Sequence, residues 1–271
     1  MNPTILTFPS LSKYANKSDW KLNRFDARNT SPLSGTFQDI ARPGAYFSCD
    51  LSWNVLSYAD SQLLLAWSMQ MSRAGFRTAL PNYAYEIQGV GTGTPTVDGG
   101  SQTGNSLLTE GWTDSISGIL LPGDMFQVYG GTITFLTAPA NTYAITAEDF
   151  YGNSIAIGTG NGVATTFNLP NAFFTGYNVY VNAVLQTYTT DYTTTMQHQL
   201  LMVTASAASN GSGVATIDFE PALRFSPVSG NSIVLSPCNA VFAFSKPDAS
   251  ISYTPPRIAA MALSLMEDVT L

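Results

Sequence analysis

A chain of 271 residues with 45% hydrophobic content can fill one large β domain or two smaller ones, which argues against intrinsic disorder. Only 11% of residues are charged while Gly and aromatics are plentiful, a composition suited to short strands joined by tight turns. Charge is uneven: residues 1–77 carry eight Lys/Arg against five Asp/Glu, 78–223 carry ten Asp/Glu and no Lys/Arg, and 224–271 carry three of each. The middle therefore lacks the clustered cations of a phosphate-binding groove, which disfavours tight DNA binding there.

Residues 1–30 mix Pro, Ser and Asn with Tyr14, Trp20 and Phe25, the pattern of an extended arm or a first irregular strand. Ser31-Pro32-Leu33-Ser34-Gly35 reads as a turn, Thr36 to Ile40 begins a strand, and Arg42-Pro43-Gly44 ends it. Residues 45–53 alternate strictly, with Phe47, Cys49, Leu51 and Trp53 on the core face. One helix follows, with Ser57 as its cap, Asp60 three residues on, Leu63, Leu64, Trp67 and Met71 as its buried stripe, and Gly75 as its stop.

From Thr78 the pattern returns to β structure through residues 83–87. The run Gly89-Val90-Gly91-Thr92-Gly93 lacks a Lys and a following helix, so it reads as a mobile loop rather than a nucleotide cradle. Residues 119–128, with the turn Pro122-Gly123-Asp124 and alternation after it, look like half of a β-hairpin. The best returning partner comes about seventy residues later, at 200–205, leading into 214–224. The stretch between is rich in Thr, Tyr, Asn and Gly. The expected organisation is a discontinuous β domain, 1–129 and 200–271, interrupted by a β module at 130–199.

Chemistry has little to stand on. His198 is the only histidine, and no Gly-x-Ser-x-Gly elbow accompanies it, so it reads as a solvated side chain rather than a catalytic base. Glu148-Asp149 and Glu267-Asp268 are sequence neighbours whose side chains point to opposite strand faces, so they read as exposed charges rather than a glycosidase pair. Asp98, Asp124 and Asp191 are isolated, without calcium-loop spacing. Cys49 and Cys238 have no metal or redox spacing and read as buried thiols. The expectation is a non-enzyme that needs no metal and no cofactor. The first dozen residues show no signal-peptide pattern and residues 258–266 are too short to span a bilayer, so the chain is expected to be soluble, made in a reducing cytoplasm, without membrane insertion.

Several of these pieces together resemble the distal tail or minor tail proteins of long-tailed bacteriophages. The resemblance is carried by Ser31-Pro32-Leu33-Ser34-Gly35 with Gln38, Arg42-Pro43-Gly44-Ala45, the helix after an aromatic strand, and Gln102-Thr103-Gly104 through Gly111-Trp112. It continues in Leu121-Pro122-Gly123-Asp124 with Phe126, in Phe219-Glu220-Pro221-Ala222-Leu223-Arg224, and in Val241-Phe242-Ala243-Phe244. It implies an all-β fold with one α-helix, a tail-tube-like sandwich or barrel that assembles into a ring, expected to be a homohexamer, without catalytic activity. Its implied partners are further copies of itself, the tail tube protein, and baseplate hub or fibre proteins. DNA would pass through without specific binding, and the site of action would be the virion's tail tip.

The stretch 130–199 is similar to a small β-sandwich module of phage fibres and baseplates. The module's usual opening appears in Gly158-Thr159-Gly160-Asn161-Gly162 and Thr166-Phe167-Asn168-Leu169-Pro170, followed by 179–186 and Asp191-Tyr192; its usual close, Ile133-Thr134-Phe135 with Ala138-Pro139 and Ile145-Thr146-Ala147, comes first. A circular permutation with its joint in 150–156 accounts for that order. The alternative leaves 131–150 in the host sheet and inserts only 157–195. Aromatics in this region, with Asn178 and Asn182 beside Tyr180, Tyr188 and Tyr192, suggest a host-surface carbohydrate contact, and so an adhesin as the rival function. Tyr14, Trp20, Arg42 and Pro43 are the candidate ring interface.

Overall fold

The computed structural model describes residues 4–12, 14–30, 36–40, 44–81, 86–148, 154–168, 178–187, 190–236, 238–246, 251–254 and 258–269. The first elements are β1 (Thr4–Thr7), β2 (Lys17–Arg24), β3 (Ala27–Thr30), β4 (Phe37–Ile40), β5 (Ala45–Leu56), α1 (Tyr58–Met71) and β6 (Phe76–Pro81). They are followed by β7 (Gly93–Val97), β8 (Ser106–Trp112), β9 (Ser117–Leu120), β10 (Met125–Phe135), β11 (Ala144–Glu148), β12 (Ser154–Thr159), β13 (Thr166–Asn168), β14 (Asn178–Val181), β15 (Val184–Leu185) and β16 (Tyr192–Val203). The last are β17 (Ala207–Ala208), β18 (Ala215–Glu220), β19 (Ile233–Val234), β20 (Asn239–Phe244), β21 (Ile251–Thr254) and β22 (Ile258–Glu267). The protein is all-β with one helix among the described residues.

Two compact units are present, 1–80 with 241–270, and 81–240. These limits differ from those read from the sequence, which fall at 129/130 and 199/200. The charge division nearly coincides with them: the second unit holds ten Asp/Glu and only Arg224, while the first holds ten Lys/Arg and eight Asp/Glu.

The first unit is built on a sheet ordered β1-β6-β20-β22-β5-β2, with β21 also on β22. β5 buries Ala45, Phe47, Cys49, Leu51 and Trp53, as its alternation dictates, and Met261, Leu263 and Leu265 of β22 are buried as well. Helix α1 starts where expected, because the Ser57 hydroxyl accepts the Asp60 N–H at 3.1 Å. Its buried side differs from the expected stripe: Leu63 is exposed, and Ser61 and Ser68 are buried with Leu64, Trp67 and Met71. Both serines return their hydroxyls to carbonyls three residues back, Tyr58 and Leu65, which makes their burial tolerable.

The second unit contains a nearly closed barrel. Its sheet runs β10-β16-β18-β8-β7, and β19 lies on the far side of β10. A bridge between Thr96 and Ser232, with Val97 N–H to Asn231 O at 2.9 Å and Gly230 N–H to Val97 O at 2.8 Å, joins β7 to the segment entering β19. Inside are Val97, Leu107, Trp112, Phe126, Leu201, Ile217 and Phe219, with Phe126 and Phe219 edge to face at 5.6 Å.

The pairing of 125–128 with 200–204 is present, Met125 opposite Met202 and Val128 opposite Gln199. The ladder does not stop at Tyr129; it continues without a break to Phe135 opposite Tyr192. The side facing a core changes along it. Phe126 and Val128 face the barrel core, whereas Ile133 and Phe135, on the opposite strand face, enter a second core with Ile145, Ala147, Val179 and Tyr192. The switch occurs across Gly130-Gly131, and a Cβ on Gly130 would come within 2.8 Å of the Phe225 ring. The change in texture seen in the sequence near residue 130 thus marks a change of face within one continuous ribbon. The second core is covered by the sheet β12-β11-β14-β15 and by β13, which pairs with β10 at Thr132–Thr134.

The ribbon is rooted at Asp124. Its carboxylate is fully buried and accepts the backbone N–H groups of Gln88 (2.8 Å), Gly89 (2.9 Å) and Leu121 (2.8 Å). The glycine run expected to be a mobile loop is therefore held down at its start. Val90 and Gly91 also donate to Gly118 and Ile119 carbonyls, and a Cβ on Gly89 would meet Ile119 O at 2.4 Å. Replacing Asp124 with Ala removes the acceptor of three part-buried N–H groups and is expected to lower the unfolding free energy by about 1–3 kcal/mol, while Asn, which keeps one acceptor oxygen, costs less. Urea unfolding of both variants checks the order.

Candidate functional site

Among the described residues, the outer face of the small sheet gathers carbohydrate candidates. In β14, Val179 and Val181 point into the module core, so Asn178 and Tyr180 point outward by the two-residue period of a strand. Register places Thr146 and Leu185 on either side of Tyr180, and Glu148 opposite Asn178. Tyr180 is half-buried, Asn178 is exposed, and Leu185 and Val184 are exposed aliphatics at the sheet edge. A tight turn at Asn182 and Ala183, both with positive φ (50° and 63°), joins β14 to β15, and Asn182 N–H donates to Ala144 O at 2.8 Å.

Tyr192 does not join this face. It is 3% exposed and packs in the module core against Phe135, so it fills space rather than presenting a ring to a sugar. Tyr188 lies outside the described residues, as do Phe173, Phe174 and Tyr177. What remains is a small polar platform, one Tyr ring with Asn178 and Thr146, able to offer a CH–π surface and a few hydrogen bonds.

Of the ring-interface candidates, Tyr14 is 80% exposed. Trp20 turns inward: its ring meets Phe242 edge to face at 5.4 Å and its indole N–H donates to the Ser18 hydroxyl at 3.1 Å. Arg42 and Pro43 lie outside the described residues. A feature missed from the sequence sits nearby. Ser12 donates both its N–H (3.3 Å) and its hydroxyl to the Asp60 carboxylate, while Phe8 packs edge-on to Trp67 at 5.0 Å and beside Trp53 at 6.4 Å. The available signal was that Asp60 is the only charged residue in α1, so its partner had to come from elsewhere.

His198, expected to be solvated, is 4% exposed on β16, opposite Tyr129. Glu267 and Asp268, expected to be exposed charges, are 1% and 8% exposed: Glu267 accepts the Phe47 N–H at 2.9 Å, and Asp268 pairs with Arg77. Both carboxylates satisfy donors at the end of β22, which offsets the cost of burying them. Asp149 lies outside the described residues. Asp191 accepts the Thr187 N–H at 2.7 Å within its own turn. No group of three metal-ligating side chains occurs among the described residues, and no described helix is long and apolar enough to cross a membrane.

Motif residues have local structural roles. The Gln102 amide donates to Asp98 O (2.8 Å) and Leu108 O (3.1 Å) and accepts from Leu108 N–H (2.6 Å), bracing the β7–β8 turn. Gly111 (φ +82°) lies where a Cβ would meet Thr94 O at 2.5 Å. Trp112 donates to the Thr109 hydroxyl at 2.7 Å. After the cis Glu220–Pro221 bond, the Gln199 amide spans Ala222 O and Arg224 N–H, each at 2.8 Å.

No protein-family model matches this chain. A search of curated proteins finds no match either.

Cys49 and Cys238 are free and buried, as expected, and burial pushes each thiol up to about 12. Both should resist iodoacetamide at pH 8 in the native protein and react at ordinary thiol rates once unfolded. The unfolded thiols ionise near pH 9 while the folded ones stay neutral, so this contribution to stability is complete below pH 9 and declines toward pH 12. Mass-spectrometric labelling with and without denaturant, and unfolding followed from pH 8 to 11, check both outcomes.

Proposed function

We propose that the protein is a structural ring subunit of a phage tail tip, joining the tail tube to baseplate or fibre proteins and leaving a channel for DNA. The support is the resemblance carried by its ordered motifs, together with an all-β fold in which Gln102, Gly111 and Asp124 each meet a specific backbone demand. An acid-rich second unit suits contact with passing DNA that must not adhere, because phosphates are held by Lys and Arg. In this reading the ring is a homohexamer, and the small β module, 130–199 by the sequence limits, is a guest that faces away from the channel. Native mass spectrometry of the full chain should give six copies per particle. A chain that stays monomeric at every accessible concentration refutes the ring.

A second reading, a carbohydrate-binding adhesin, is favoured by one observation, the outward Tyr180 with exposed Asn178 beside it. On a glycan array, binding by the full chain that falls at least tenfold in Tyr180→Ala would support it. Equal signals from the two proteins, or none from either, would remove it.

A further inference from the structure

The chain holds two Asn-Gly pairs, Asn161-Gly162 and Asn210-Gly211. Such a pair carries chemistry of its own, because glycine has no side chain to keep its backbone nitrogen away from the preceding Asn amide. Both asparagines are exposed, and each opens a tight turn that its own side chain holds. The Asn210 Oδ1 accepts the Ser212 N–H at 2.8 Å and the Val214 N–H at 3.0 Å. The Asn161 Oδ1 accepts the Val163 N–H at 2.9 Å and the Ala164 N–H at 2.7 Å. In each turn two donors polarise the Cγ carbonyl and point at the oxygen on which negative charge gathers when that carbon is attacked.

The glycine nitrogens separate the two turns. The Gly162 N–H donates to Pro139 O at 2.9 Å. To act as a nucleophile that nitrogen must give up its proton, which removes the bond and leaves the Pro139 carbonyl oxygen facing a negative charge. Gly211 is exposed, and among the described residues no acceptor takes its N–H. Hydroxide from solvent can remove that proton with no protein bond lost. The rest of this turn, between β17 and β18, is closed: the Asn210 N–H donates to Val214 O at 2.9 Å, and Asn210 O accepts the Ser115 N–H at 2.9 Å and the Gly213 N–H at 3.1 Å. Gly213 (φ +68°) lies where a Cβ would meet Trp112 O at 2.4 Å. Asn210 is thus fixed through both side chain and backbone, beside a nitrogen that is not engaged.

We propose that Asn210 is a site of self-modification, converting to Asp and isoaspartate in the folded protein ahead of Asn161. The deprotonated Gly211 nitrogen forms a bond to Asn210 Cγ, the Cγ–Nδ2 bond breaks, and ammonia leaves with a proton taken from water. Water then opens the cyclic imide at either carbonyl, giving Asp or isoaspartate with no oxidation or reduction. The Asp product keeps an oxygen for the Ser212 and Val214 donors, whereas isoaspartate inserts a methylene into the backbone next to the Ser115 contact. Either product adds a negative charge to the acid-rich second unit. The proposal is independent of the ring reading.

Peptide mapping tests it. The full-length protein is incubated in mildly alkaline buffer, folded or kept unfolded in denaturant, then cut with chymotrypsin and analysed by mass spectrometry, with an isoaspartyl methyltransferase assay to mark isoaspartate. In the folded protein conversion at Asn210 should outpace that at Asn161 by about fivefold, the factor that one ordinary intramolecular hydrogen bond is worth. Unfolding, which frees the Gly162 N–H, should bring the two rates together. Equal rates in the folded protein, or a faster Asn161, overturn the proposal. A preference that survives unfolding overturns it too, because local sequence would then be its cause. So does a folded protein in which Asn210 stays intact while the unfolded chain converts.

Discussion

One ribbon, β10 paired with β16, serves two hydrophobic cores from opposite faces, and the second unit is organised by that constraint. At one end Phe126, Val128 and Leu201 face the barrel core; at the other Ile133, Phe135 and Tyr192 face the module core. Strand side chains alternate with a period of two, so a slip of one residue would turn both sets outward at once. Register is therefore fixed twice, and the glycine pair where the faces exchange leaves room for the Phe225 ring. Asp124 anchors the start of the ribbon, because its carboxylate gathers N–H groups from two separate stretches, 88–89 and 121.

This arrangement explains why sequence motifs were easier to find than a site. Gln102, Asp124 and Gln199 satisfy backbone groups, Gly111 allows close backbone approach, and Trp112 bonds the buried Thr109 hydroxyl, places where few residue types suffice. They say that the barrel is well specified. The surfaces open to partners are less distinctive: Tyr180 with Asn178 on the module, and on the first unit a helix face on which Tyr58, Leu63 and Met69 are exposed and no charge stands. The uneven charge, acid-rich in one unit and nearly balanced in the other, is the broadest functional signal the molecule carries.

Alternation in 45–53, the Ser57 cap, the buried thiols and the distant pairing of 125–128 with 200–204 were all legible in the sequence. Each follows from a local rule, or from a pattern that only one partner could complete. Leu63 was assigned inward because it is apolar at a plausible spacing, but serines that bond back to their own helix took that side. Glu267, Asp268 and His198 were assigned to solvent because polar residues usually lie there. Their burial depends on distant donors and covers, Phe47 N–H and Arg77 for the two carboxylates, which no window of sequence contains.

By itself the sequence determined the class of fold, the helix and its start, the state of the cysteines and the pairing at the root of the ribbon, because these depend on period, capping chemistry and composition. Only the tertiary structure decided where the units divide, that the ladder runs on through Gly130, that Tyr192 is core rather than platform, and that Asp60 receives Ser12. The reason is physical. Which face of a strand is buried, and which donor reaches a buried carboxylate, is set by segments dozens to hundreds of residues away, and local preference is indifferent to them.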